Sequence, residues 1–198
     1  MKKIILPLIS SMLFASNLDT AMLELTNKHY DNAINLLKQQ KETKQIDFLL
    51  GKAYYERHLT YTDYSIALKY LSKAQTKQSF YYIGKLYQNG LGVEKNIQEA
   101  MRYYNLANTK EANYALAKLY LDGKEVIKNK KIALVLLKES AKKGYNKAQF
   151  LLGKLYLTEN DIVEQDFREA AKWLYLSAYN GNSEAKKLWD KYKLYRYQ

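Results

Sequence analysis

Leu50-Gly51-Lys52-Ala53-Tyr54 returns as Ile83-Gly84-Lys85-Leu86-Tyr87, as Leu116-Ala117-Lys118-Leu119-Tyr120 and as Leu152-Gly153-Lys154-Leu155-Tyr156. The tyrosines step by 33, 33 and 36 residues. A second series, Ala67, Ala100, Ala133 and Ala170, and a third, Ala74, Ala107, Ala141 and Ala178, keep the same phase. Three series at one period mark a chain built of stacked copies of one unit, and internal repeats of this length point to a solenoid.

Each unit reads as two helices. Small-x-x-aromatic spacing puts Gly51 and Tyr54 on one face of a first helix, helix A. Ala67, Tyr70, Leu71 and Ala74 form an i, i+3, i+4, i+7 stripe on a second, helix B. A glycine inside a helix costs about 1 kcal/mol relative to alanine. Its recurrence in helix A predicts a close approach, with glycine of helix A set against alanine of helix B. Gly90, Gly92 and Gly123 fall between the helices of a unit. Gly144 and Gly181 follow helix B, where a left-handed cap is expected.

Composition agrees. Of 198 residues, 47% are apolar and 26% charged, enough for a core. One proline and eight glycines are too few for a turn-rich β protein. With no cysteine, disulfides, thiolate metal sites and a cysteine nucleophile are excluded. The net charge is +12, carried by lysine with only four arginines, which reads as a solvated lysine surface more than a phosphate-recognition face.

The unit resembles the Sel1-like repeat, a relative of the tetratricopeptide repeat. The best match is Ser79 to Lys110, through Tyr81-Tyr82-Ile83-Gly84-Lys85-Leu86-Tyr87-Gln88-Asn89-Gly90-Leu91-Gly92-Val93 and Ala100 to Ala107. The resemblance implies an all-α, right-handed α-solenoid of four repeats, 44–76, 77–109, 110–144 and 145–181. Three departures are visible: Asn96 where the family usually has Asp, Ala117 for Gly, and no glycine in the loops Arg57 to Asp63 and Thr158 to Gln165.

The ends are expected to differ from the repeats. Residues 18–40, with His29-Tyr30-Asp31-Asn32-Ala33-Ile34, resemble a tetratricopeptide-type helix pair. Residues 182–198 are expected to form a capping helix, with Leu188, Trp189, Tyr192 and Tyr195 covering the last apolar face. Met1-Lys2-Lys3 followed by the apolar run Ile4 to Ala15 reads as a signal peptide, 1–15, cut after Ala15 or as late as Ala21. Export, to a periplasm or beyond, is the expectation, with no membrane span left once the signal is removed.

Nothing in the chain names a reaction. His29 and His58 stand in different units without a motif partner, no phosphate loop is present, and no metal or cofactor is expected. Some cysteine-rich Sel1-like relatives are linked to penicillin binding or β-lactam hydrolysis. That gives Ser140-Ala141-Lys142-Lys143 and Ser183-Glu184-Ala185-Lys186, two Ser-x-x-Lys matches, an alternative reading. No Ser-Asp-Asn or Lys-Thr-Gly accompanies them. A polyanion-binding surface is a third reading.

The leading expectation is a non-catalytic interaction scaffold. By analogy with tetratricopeptide domains, the residue after the small one faces a concave groove. It is lysine in every unit, Lys52, Lys85, Lys118 and Lys154, and four residues earlier stands an aromatic, Phe48, Tyr81, Tyr114 and Phe150. Each i, i+4 pair shares a face. Together they suit a protein or peptide partner bearing carboxylates, with no small-molecule substrate or nucleic acid expected. As exposed side chains, Lys85 and Lys118 should tolerate reversal to Glu with little change in melting temperature.

Overall fold

The structure, a computed structural model, describes residues 17–57 and 60–197. The expected signal peptide and its Ala15 cut, and His58, lie outside the described residues. Every regular element among the described residues is helical. Helix α1 covers 17–26. It is followed by α2 Tyr30–Lys38, α3 Lys44–Arg57, α4 Tyr61–Ala74, α5 Lys77–Asn89 and α6 Ile97–Ala107. Then come α7 Lys110–Asp122, α8 Lys130–Lys142, α9 Asn146–Leu157, α10 Phe167–Tyr179, α11 Ser183–Lys191 and a 3-10 turn, Leu194–Tyr197. The chain divides into two compact units between Ala107 and Asn108.

Within each unit the helices pack in consecutive pairs, α3 on α4 and α5 on α6 in the first, α7 on α8 and α9 on α10 in the second. The alanines of helix B, Ala67, Ala100, Ala133 and Ala170, are fully buried. The small residue of helix A does not face them alone. A β-carbon on Gly51 would lie 2.6 Å from Leu71 Cγ, on Gly84 2.6 Å from the Tyr104 ring, and on Gly153 2.5 Å from Leu174 Cγ. The expected approach of glycine to alanine is thus joined by a closer and larger neighbour. Glycine is the seat for a large side chain one turn beyond the alanine, which brings the helix B backbone close as well: the Gly84 β-carbon would be 3.2 Å from Ala100 O.

The tyrosine of each repeat also has a backbone duty. The amides of Asn96, Asn129 and Asp166 donate to the carbonyls of Tyr87, Tyr120 and Tyr156, at 3.0, 3.0 and 2.9 Å. The same three residues cap helix B with their side chains, accepting from the amides of Glu99, Ile132 and Glu169. Asparagine and aspartate cap a helix about equally well, so Asn96 changes nothing. In the glycine-free loop before α10, Asn160 takes over: its Oδ1 accepts from the amides of Ile162 and Val163, and its Nδ2 donates to the Leu155 and Thr158 carbonyls.

Polar latches tie helix A to the end of helix B. The Ser140 hydroxyl donates to Lys110 O at 2.5 Å, and Ser177 donates to Asn146 Oδ1 at 2.5 Å. Asn113 donates to Glu139, and Lys143 to the carbonyl and side chain of Asn108. In the first unit the loop Gly92 presses on α4: a β-carbon there would lie 2.4 Å from the Ser65 amide nitrogen, and Ser65 Oγ donates to Gly92 O at 2.8 Å.

The ends differ in detail from expectation. Residues 17–26 and Tyr30–Lys38 are both helical, and Ala21, Ala33 and Leu37 are fully buried in one core. At the other end the expected helix over 182–198 stops at Lys191. Lys193 takes a left-handed φ of 51°, and the 3-10 turn swings the fully buried Leu194 onto α10. Leu194 and Ala185 do the covering together with the expected Leu188 and Trp189, which are half-buried against the core; Tyr192 and Tyr195 stay exposed.

Candidate functional site

The four candidate side chains of the first unit gather on one face, because α3 packs directly on α5. Lys85 Nζ lies 5.7 Å from the Tyr81 ring, 5.9 Å from that of Tyr82 and 4.7 Å from that of Tyr55. Phe48 meets Tyr82 at 6.1 Å, and Tyr55 meets Tyr82 edge-on at 5.0 Å. Lys52 pairs with Glu56 at 3.8 Å, and the Tyr82 hydroxyl donates to the same carboxylate at 3.4 Å. Ammonium over a ring face is attracted by the ring quadrupole. The result is a half-buried aromatic bed that holds a cation.

Electrostatics follow from that burial. Desolvation pulls Lys85 below its ordinary value, with the Glu56 carboxylate opposing. Burial pushes Tyr55 up to about 12, and raises Tyr82, helped by Glu56. Tyr104, fully buried beneath Gly84, is raised for the same reason and donates to Gln88 Oε1 at 2.6 Å. The expectation that Lys85 stands exposed is corrected: it is half-buried. A Glu there would put a second carboxylate beside Glu56.

In the second unit the pattern is looser. Lys154 Nζ lies 5.5 Å from the Phe150 ring, while Tyr114 meets Tyr145 edge-on at 5.2 Å. Lys118 and Lys154 are exposed; Tyr114 and Phe150 are half-buried. The sequence reading missed Tyr55, Tyr82, Glu56 and Tyr145. The doublets Tyr54-Tyr55 and Tyr81-Tyr82 were the available signal, since adjacent helix residues point about 100° apart and one of each pair can line a second face.

The repeat tyrosines serve packing. Tyr54 stacks on Tyr70 at 6.0 Å and Tyr87 on Tyr103 at 5.6 Å, both at 8° between planes. Ser140 of the Ser-x-x-Lys alternative is fully buried with its hydroxyl committed to Lys110 O, so a substrate does not reach it. Ser183 and Lys186 are exposed at the start of α11. No cluster of three or more metal-ligating side chains occurs among the described residues, and no described helix is long and apolar enough to cross a membrane.

The family model of the Sel1 repeat matches four times, at residues 47–74, 81–109, 110–145 and 146–182. The chain belongs to the Sel1 repeat family. Its fold is that of solved Sel1-repeat structures. A Sel1 repeat protein from Oxalobacter formigenes superposes with a TM-score of 0.73 at 22% identity, covering 88% of this chain and 74% of that one. A protective antigen present in uropathogenic Escherichia coli strains, displaying an SLR fold, superposes with a TM-score of 0.70 at 20% identity, covering 87% of this chain and 39% of that one. No curated protein matches the chain significantly. Sel1-repeat proteins generally mediate protein–protein interaction, and the fold is typically a non-catalytic scaffold.

Proposed function

We propose that this Sel1-repeat protein is a non-catalytic, exported scaffold that binds an extended, carboxylate-bearing segment of a protein on its helix A faces. The observation that carries the reading is Lys85 held over three tyrosine rings in the first unit. A lysine set among aromatics offers one charge within a large, rigid contact area, the composition of binding hot spots. Its reduced hydration also argues for an incoming carboxylate, because a partly desolvated cation gains more from a new anion than an exposed one does. The basic start and apolar run at 1–15 support export.

The test is site-specific photocrosslinking in the producing cell. A photoreactive phenylalanine at Tyr81 should trap a discrete polypeptide, and the same group at the exposed Lys69 on α4 should not. Adducts from Lys69 alone, or equal adducts from both, would remove this assignment. Cell fractionation checks export: protein confined to the cytoplasm refutes that half.

A further inference from the structure

The second unit ends in an aromatic band that the scaffold reading does not use. Tyr179 stacks on Tyr175 at 6.4 Å, Tyr175 meets Trp189 at 6.2 Å, and Trp189 meets Tyr195 at 6.0 Å. The band runs without a break from α10 across α11 to the 3-10 turn. Packing leaves it open: Tyr175 is 46% exposed, Tyr179 80% and Tyr195 54%. Contiguous exposed aromatics on a small domain mark an interaction surface.

Charge narrows the partner. Residues 182–198 carry five basic side chains against two acidic ones. Lys187 is paired with Glu184. Lys191 lies over Tyr192 at 5.4 Å and Arg196 over Tyr195 at 5.9 Å. Neither has a carboxylate partner among the described residues. A net charge of +12 on the chain disfavours a second copy at this basic end. Tyr175 and Tyr179 lie with their ring planes 25° apart, and binding to polysaccharide is an outcome that the test below reads. What the face presents is exposed phenols among cations.

We propose that this C-terminal face docks on an anionic lipid bilayer surface. Tyrosine and tryptophan settle at headgroup depth, with an apolar body and a polar tip, while Lys and Arg reach lipid phosphates. The indole N–H of Trp189 adds a reason. It is enclosed with no hydrogen-bond partner among the described residues, and the ring packs on the core of the second unit, so tipping it toward the headgroups exchanges part of that packing for a bond to a lipid carbonyl. Docking is peripheral, since no described helix is long and apolar enough to span.

The experiment is partition of the full chain onto phosphatidylcholine vesicles with and without about a third phosphatidylglycerol. The parent should bind the mixed vesicles, more weakly as salt rises. Lys191→Glu with Arg196→Glu should lower partition at least on the order of thirtyfold, from about fivefold per basic residue. Tyr179→Ser with Tyr195→Ser should weaken it several-fold. The apolar run at 4–15 is common to all variants, so the difference between them reads the cap. Emission should shift to the blue on mixed vesicles in the parent and not in Trp189→Phe, because Trp173 is only 5% exposed and bonded to Glu169. Melting curves confirm that each variant folds. Equal partition of parent and variants would overturn the proposal. So would a concentration-dependent dimer, or retention on polysaccharide, lost in the same variants with no change on vesicles.

Discussion

Gly153 lies beneath Leu174 so closely that a β-carbon on it would stand 2.5 Å from Leu174 Cγ and 3.1 Å from the Leu174 amide nitrogen. Gly51 and Leu71 repeat the relationship in the first unit, at 2.6 and 3.0 Å. The repeat is thus specified by a seat and a knob, and the missing side chain on helix A is as much a part of the core as the leucine that fills its place.

Gly153→Ala should therefore destabilise the protein, even though alanine favours a helix by about 1 kcal/mol. Overpacking a filled site costs about 1–3 kcal/mol, and the sign of the sum is set by the nearby backbone atom, which cannot rotate away. Ala117→Gly in the third repeat should also destabilise, by about 1–2 kcal/mol, because that seat is occupied by a buried methyl. Gly84→Leu should unfold the first unit. Urea denaturation of the three variants checks this; a stabilised Gly153→Ala would refute the seat.

Gly92 and Gly144 separate two glycine effects. Both have left-handed φ, 65° and 79°, but a β-carbon on Gly92 would meet α4 backbone at 2.4 Å, while one on Gly144 would meet nothing within 4 Å. Gly144→Ala should cost only the left-handed strain, about 1–2 kcal/mol. Gly92→Ala should cost clearly more. Equal losses in thermal denaturation would mean that the loop yields.

Ser140→Ala should lower the melting temperature by about 2–4 °C, the equivalent of about 1 kcal/mol for one lost buried hydrogen bond in a chain of this size. No change would show that the Ser140 latch adds nothing to stability. A labelled penicillin should not acylate Ser140, whose hydroxyl is fully buried.

Alkaline pH should unfold the first unit. Tyr55, raised to about 12, keeps its proton in the folded state where an unfolded tyrosine loses it near 10. The stability it contributes is present below pH 10 and lost as pH rises toward 12. Tyr82 and Tyr104 are raised in the same sense. Lys85 has the opposite sign: its folded value is lowered, so stability rises with pH as the ordinary lysine range is approached from below. Three tyrosines outweigh one lysine above pH 10. Tyr55→Phe should flatten the fall, as followed by stability against pH and phenolate absorbance. At neutral pH Lys85→Met should leave the melting temperature equal or higher, and Lys85→Glu should lower it.

Ala21 bears on processing. Its complete burial with Ala33 and Leu37 means that a cut after Ala21 would remove half of α1 and the buried Ala21 itself, while a cut after Ala15 leaves 17–26 whole. N-terminal sequencing of exported protein should find the start at or near Ser16. A start at Met22 in a stable, folded product would refute the packing role of α1.

What the sequence determined by itself was the repeat: its period, its helix pairs, the glycine seats, and the family they indicate. These rest on local spacing and on steric rules that one unit imposes on its own two helices, so they are written out at fixed intervals. The tertiary structure alone decided which large residue fills each seat, that Lys85 is drawn in among Tyr55, Tyr81 and Tyr82, and that Leu194, not Tyr192 or Tyr195, closes the C-terminal end. Those outcomes depend on how one helix pair lies against the next and on where the chain turns after α11. Such contacts join residues whose spacing varies, and no single stretch of sequence encodes the angle between them.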